Sequence, residues 1–218
     1  MQLSQIQDCL GSADPQKRMR GITELRFFTP EIVVPLLQPL ITDKEFVIRS
    51  FAVKGLGIKQ TPEAFLTLLN HLDYEIDPNV RAEVANSLAK YGKVAVPHLL
   101  ELFERDFNWL VRHSILASLD GKEFPEILLK ICFLGLQGHD IEVCLASIAH
   151  LEQLKGTNHQ LEALEIILAH VNSDNVAIRS QVARVLSSFN DLKARSALLI
   201  LRNDSDYRVV GATLENLI

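Results

Sequence analysis

Apolar positions along the chain recur at helical spacing in short blocks, and the blocks themselves recur. Ile76–Gly92, "IDPNVRAEVANSLAKYG", begins with a helix-start signal and continues into an apolar face. Its skeleton returns in "FVIRSFAVKGLG" at Phe46–Gly57, "LVRHSILASLDG" at Leu110–Gly121 and "VAIRSQVARVLSS" at Val176–Ser188. Aligned on the residue after the apolar pair, the repeats place Arg18, Arg49, Arg81, Arg112, Cys144, Arg179 and Gly211 in register, at steps of 31, 32, 31, 32, 35 and 32 residues. Seven residues beyond each lies an apolar residue: Leu25, Leu56, Leu88, Leu119, Leu151, Leu186 and Ile218. Two helical turns on, these share a face with the aligned position. Four to six residues before each lies an aspartate (Asp14, Asp43, Asp77, Asp106, Asp140, Asp174, Asp206), where a helix cap or tight turn is expected.

Second amphipathic segments lie between these helices: Leu3–Leu10, Glu31–Ile41, Pro62–Leu72, Ala95–Phe103, Phe124–Leu136, Leu161–Val171 and Leu192–Leu201. Each unit is then a helical hairpin, too small to bury both faces alone but able to stack on its neighbours. The expected fold is all-α, an α-α superhelix of seven hairpins at residues 1–29, 30–60, 61–92, 93–121, 122–156, 157–190 and 191–218. No linker divides the chain, so 1–218 reads as a single repeat domain. Pro15, Pro62 and Pro78 suit first-turn positions, and Gly57, Gly92 and Gly121 suit helix ends. The long step puts its extra residues near "LKGTNHQ", Leu154–Gln160. The ladder of Arg18, Arg49, Arg81, Arg112 and Arg179, with acids such as Asp77 and Asp174, reads as structural, each residue capping a helix or bridging to the adjacent repeat.

Composition narrows the function. Of 218 residues 48% are hydrophobic and 22% charged, a globular balance. A net charge of −5 argues against general attraction to phosphate, so no nucleic-acid partner is expected. Three cysteines without metal spacing argue against a disulfide framework and a zinc site. The N-terminus has no signal-peptide pattern and no stretch is apolar for long enough to span a membrane. The expectation is a cytosolic protein.

Asp77-Pro78-Asn79-Val80-Arg81, followed by Val84, Ala85 and Leu88, resembles the second helix of a HEAT repeat. The short Val-Arg then Ala/Leu pattern is similar to the phycobilisome-lyase type of HEAT-like repeat, whose members include E/F-type bilin lyase subunits and the phycobilisome degradation protein NblB. The resemblance extends over essentially the whole chain. It implies a HEAT-like solenoid that engages phycobiliproteins in bilin attachment, detachment or phycobilisome degradation. It also implies an open-chain tetrapyrrole as the candidate ligand and a hetero-complex with another HEAT-type chain as a candidate assembly. A scaffold or assembly factor acting without pigment fits the same repeats. Where Cys144 and Gly211 replace arginine the chain departs from the pattern.

The usual catalytic constellations are missing. The seven histidines form no His-Glu dipeptide and no His-x-x-x-His pair, and there is no nucleophile elbow, phosphate loop or dinucleotide fingerprint. "GLGIKQ" at Gly55–Gln60 ends a helix instead of opening one. No catalytic residue is assigned, and whether the chain is a bilin-lyase-like enzyme stays open. Cys144, at an arginine rung, could carry a bilin, but Val143, Leu145 and Ile148 around it read as a buried thiol.

In such a stack the second helices line one face, and the residues two and five past each rung point along it. Arg20, Phe51, Glu83, Ser114, Ala146, Gln181 and Thr213 form the first row, and Thr23, Lys54, Asn86, Ala117, Ala149, Arg184 and Asn216 the second. The small residues leave room for a flat ligand or a partner helix, and Phe107 and Trp109 beside them supply rings. The candidate site is therefore Phe51, Phe107, Trp109, His113, Ser114, Ala117, Ala146 and His150. The competing reading is that Trp109 only seals the joint between the third and fourth hairpins.

Overall fold

Residues 1–215 are described by a computed structural model, and among them every regular element is helical. Fourteen α-helices alternate as the periodicity predicts. First helices are α1 (Leu3–Leu10), α3 (Pro30–Leu37), α5 (Pro62–His71), α7 (Val96–Arg105), α9 (Pro125–Leu136), α11 (Gln160–Leu168) and α13 (Leu192–Leu201). Second helices are α2 (Pro15–Glu24), α4 (Phe46–Lys59), α6 (Pro78–Ala89), α8 (Trp109–Ser118), α10 (Ile141–Leu151), α12 (Val176–Leu186) and α14 (Tyr207–Ala212). Ile218 and Asn216, assigned above to the apolar row and the candidate face, lie outside the described residues.

The chain forms two compact units, Met1–Ser118 and Leu119–Ile218. In the first, four hairpins stack so that α4 packs on α2 and α6, and α6 on α8. In the second, α10 packs on α9 and α12, and α12 on α14. The apolar row is the reason: Leu25, Leu56, Leu88, Leu119, Leu151 and Leu186 are all at most 4% exposed. No hairpin could bury them without a neighbour.

Local signals set the helix starts. Pro15, Pro62 and Pro78 stand in the first turn, where the missing N–H costs nothing. Asp14, Asp77, Asp140 and Asp206 cap α2, α6, α10 and α14 by accepting backbone N–H groups. Gln60 closes α4 in the left-handed conformation at φ 50°. Gly57, expected at a helix end, is instead inside α4 and buried. A Cβ there would come within 2.5 Å of the Ser87 side chain and 2.8 Å of its Cα, so the glycine is required by the close approach of α6.

The aspartates are not one class. Asp14, Asp77, Asp140 and Asp206 are caps, whereas Asp43 and Asp106 lie two residues before the start position and are ion-pair partners. Before α12 the cap is Asn175, and Asp174 contributes its backbone carbonyl to Arg179. Measured from the caps, the seventh rung falls on Val210 and not on Gly211, since α14 starts from Asp206.

Candidate partner-binding surface

The rungs form a forward-reaching ladder. Arg18 pairs with Asp43 at 2.7 Å, Arg49 with Glu75 at 2.7 Å, Arg81 with Asp106 at 2.6 Å and Arg179 with Asp204 at 2.7 Å. The four acids also accept the backbone N–H two residues on, at Glu45, Asp77, Asn108 and Asp206, and so anchor the start of the next second helix. Behind each arginine, Nη1 donates to the carbonyl six residues back, that of Ser12, Asp43, Glu75 or Ser173. The pattern of bonds explains why arginine suits the position: a planar group with several donors can serve a carboxylate and a carbonyl at once.

Two rungs differ. Arg112 donates through Nε to the carbonyl of Asp106 and lies 4.9 Å from the ring centres of both Phe103 and Phe107. Cys144 keeps only the backbone contact, its thiol 3.6 Å from the carbonyl of Gly138 and 3.6 Å from that of Gly135. Burial and the nearby Asp140 push this thiol above its ordinary range. Cys132 is raised too, by burial alone. Both are therefore poor nucleophiles, since thiolate formation is what activates a cysteine.

Glu75 and Asp204 lie outside the row of aspartates that precedes each arginine, because they follow their own arginines and belong to the next hairpin. Their signal was present: each follows its arginine by 25 or 26 positions, as Asp43 and Asp106 do. Around Glu75 a third group joins. His71 is buried, with Nε2 2.9 Å from the carboxylate but without the alignment of a hydrogen bond. Burial holds the imidazole below its ordinary value, with Arg49 acting in the same direction, against the attraction of Glu75. Burial by itself would raise Glu75, yet Arg49 and the Asp77 amide outweigh it and hold the carboxyl below the usual range.

The predicted groove residues separate. Ser114 and Ala146 are buried and offer no open surface, and His150 is half-buried with Nδ1 donating to the Ala146 carbonyl at 2.8 Å. Trp109 is 46% exposed, and His113 and Ala117 follow it on the exposed side of α8. Such exposure does not fit a ring that only seals a joint. Phe107 is exposed but its ring is engaged by Arg112.

Phe51 stands out. It lies on an exposed stripe of α4 with Val47, Lys54 and Ile58, spaced i, i+4, i+7 and i+11 on one helical face. Beside the stripe a depression of about 190 Å³ opens between α2, α3 and α4, floored by Ile22, Leu25, Val33 and Leu37. Arg26, Lys54 and Lys59 stand among its lining residues. Lys59 is committed, its Nζ donating to the Phe28 carbonyl at 2.6 Å, and it ties the end of the first hairpin to α4. Arg26 lies 4.4 Å over the ring of Phe27. The surface is thus apolar at its centre and cationic at its edge, in a chain whose net charge is negative. Other hollows, of about 520 Å³ beside Arg49 and Glu75 and about 360 Å³ beside Arg179 and Asp204, are built around ladder pairs.

Stacked helical hairpins with a rung of arginine define an all-α, HEAT-like repeat protein. Residues 48–120 match the model of HEAT repeats. No curated protein matches the chain. Among solved structures, the Escherichia coli protein YibA is 16% identical with a TM-score of 0.65, over 100% of this chain and 83% of that one. A chain of the CpcE–CpcF complex of phycocyanin lyase from Nostoc sp. PCC7120 is 18% identical with a TM-score of 0.55, over 100% of this chain and 89% of that one. At these identities the likeness is one of fold. Among the described residues no helix is long and apolar enough to cross a membrane.

Proposed function

We propose that this chain is a HEAT-type binding protein that engages a phycobiliprotein through the exposed face of α4, in bilin attachment, detachment or phycobilisome degradation. The observation that carries the surface is Phe51, a large ring left in solvent beside an apolar depression while its neighbours Ala52 and Val53 are fully buried. Exposed aromatics at the edge of a pocket are the usual anchors of protein interfaces. The partner class is supported by the sequence pattern around Asp77–Leu88 and by the fold shared with a phycocyanin lyase complex. Trp109, His113 and Ala117 on α8 are the second surface of the same unit that the partner could extend over.

Mixing the purified protein with phycocyanin, with free bilin and with neither, then following absorption and co-elution, tests this. Co-elution that is lost on Phe51→Ser supports it. No co-elution with phycocyanin at micromolar concentrations overturns the partner assignment. A second reading, a scaffold acting without pigment, is favoured by the burial of Cys132 and Cys144, which withdraws two thiols from covalent bilin transfer. It predicts co-elution with unchanged absorption and no uptake of free bilin.

A further inference from the structure

We propose that the depression between α2, α3 and α4 takes an acidic amphipathic helix of the protein partner, an apolar side chain filling it against Phe51 while carboxylates meet Arg26 and Lys54. This rests on the reading of the α4 face as the binding surface and names what that surface recognises.

Shape comes first. The exposed stripe from Val47 to Ile58 covers twelve residues along one helix, about 16 Å or three turns at the α-helical rise. A partner helix laid along it can match apolar positions at the same spacing, which is the helix-in-groove mode. A strand partner would need an open sheet edge, and the described residues contain no strand. A proline-rich segment needs a row of aromatic rings, whereas Phe51 is the only ring lining this depression. The volume of about 190 Å³ suits one large aliphatic or aromatic side chain.

Charge then selects among helices. Arg26 and Lys54 form no ion pair with a carboxylate among the described residues, unlike Arg18, Arg49 and Arg81 of the same unit. Arg20, a little further along α2, is exposed as well. Glu83 on α6 is the acid that feels Lys54, and it is half-buried. Arg26, which stacks on Phe27 and acts on Glu24, and Lys54 are cations without an ion-pair partner among the described residues. At the border of an apolar floor, they complement a helix that carries acids beside its apolar stripe and repel a basic one.

The test uses the full chain and two labelled model peptides of roughly 14 residues, long enough for the three turns of α4 that are exposed. Both carry leucine at i, i+4, i+7 and i+11. One has glutamate at the flanking positions and the other lysine. By fluorescence anisotropy the acidic peptide should bind at least about tenfold more tightly at low salt, with the preference shrinking as salt screens it. Phe51→Ser should remove binding of the acidic peptide, and the pair Arg26→Glu and Lys54→Glu should invert the order of the two peptides. Should the double charge reversal fail to fold by circular dichroism, Arg26→Gln with Lys54→Gln should still narrow the preference. Equal binding of both peptides, no binding of either, or an unchanged order after the charge changes overturns the proposal. So does saturable binding of dodecanoate without binding of the acidic peptide, which would make the depression a site for small amphiphiles. Phycocyanin co-elution is measured on the same preparations. Acidic-peptide binding without phycocyanin binding removes the proposed partner and leaves the chemistry of the site standing.

Discussion

Arg81 and Asp106, 25 residues apart, meet at 2.6 Å, and the second oxygen of Asp106 takes the backbone N–H of Asn108 at 2.9 Å. One carboxylate therefore binds the preceding repeat and sets the start of the next second helix. Arg49 and Glu75 repeat the arrangement one hairpin earlier, with Glu75 taking the amide of Asp77. The first unit is in this sense keyed together by pairs whose members are ordered by backbone bonds on both sides.

Arg81→Ala should lower stability by about 1–3 kcal/mol, because Asp106 is left part-buried with half of its hydrogen-bonding partners. Chemical denaturation of the two proteins measures the loss, and binding by the folded fraction should be unchanged. A variant that melts like the parent and no longer binds would make the ladder a recognition surface.

Gly57→Ala pits two local rules against each other. Helix propensity alone favours alanine by about 1 kcal/mol. The new methyl would meet Ser87 at 2.5 Å, with the Ser87 Cα at 2.8 Å, and overpacking of this kind costs about 1–3 kcal/mol. The expected sign is a fall in melting temperature, with Ser87→Gly in the same chain restoring part of it.

Acidification should weaken the fold in two stages near Arg49. His71 is held below its ordinary value of 6.5 by burial, so under that pH the unfolded chain binds a proton that the folded one refuses, and stability falls as pH falls. Glu75 is held below its ordinary 4.5, so its stabilisation is present above that value and is lost as pH drops further. Melting temperatures from pH 7 to pH 3 should show both stages, and His71→Gln should flatten the upper one alone.

Native-state labelling with a thiol reagent should modify Cys9, which is partly exposed, well before Cys132 and Cys144, which are buried. Mass spectrometry of the digested protein reads the order. A covalent bilin adduct at Cys144 would contradict the placement of that thiol against two carbonyls.

Trp109→Ala should cost clearly less than the 3–5 kcal/mol usual for a large aromatic truncated in a core, about 2 kcal/mol, because nearly half of the residue is in solvent. Thermal unfolding checks this, and a loss of phycocyanin co-elution at that small cost would extend the binding surface from α4 to α8.

What the sequence determined by itself was whatever depends on neighbours within two or three helical turns. Period, hairpin order, the prolines of the first turns, the capping role of Asp77 and the buried row from Leu25 to Leu186 all follow from local chemistry and the need of each apolar face for cover. Tertiary structure decided what depends on separation in space. Glu75 and Asp204 keep the spacing of 25 or 26 residues from their arginines, but only stacking turns that spacing into ion pairs, because the pairing distance is set by the whole hairpin between. Gly57 has the residue type of a helix end, yet its place is fixed by the nearness of α6. Ser114 and Phe51 stand at equivalent positions, each two residues past its rung, one buried and one exposed. A small hydroxyl side chain is covered more easily than a large ring, and the depression beside Phe51 exists only where three helices meet.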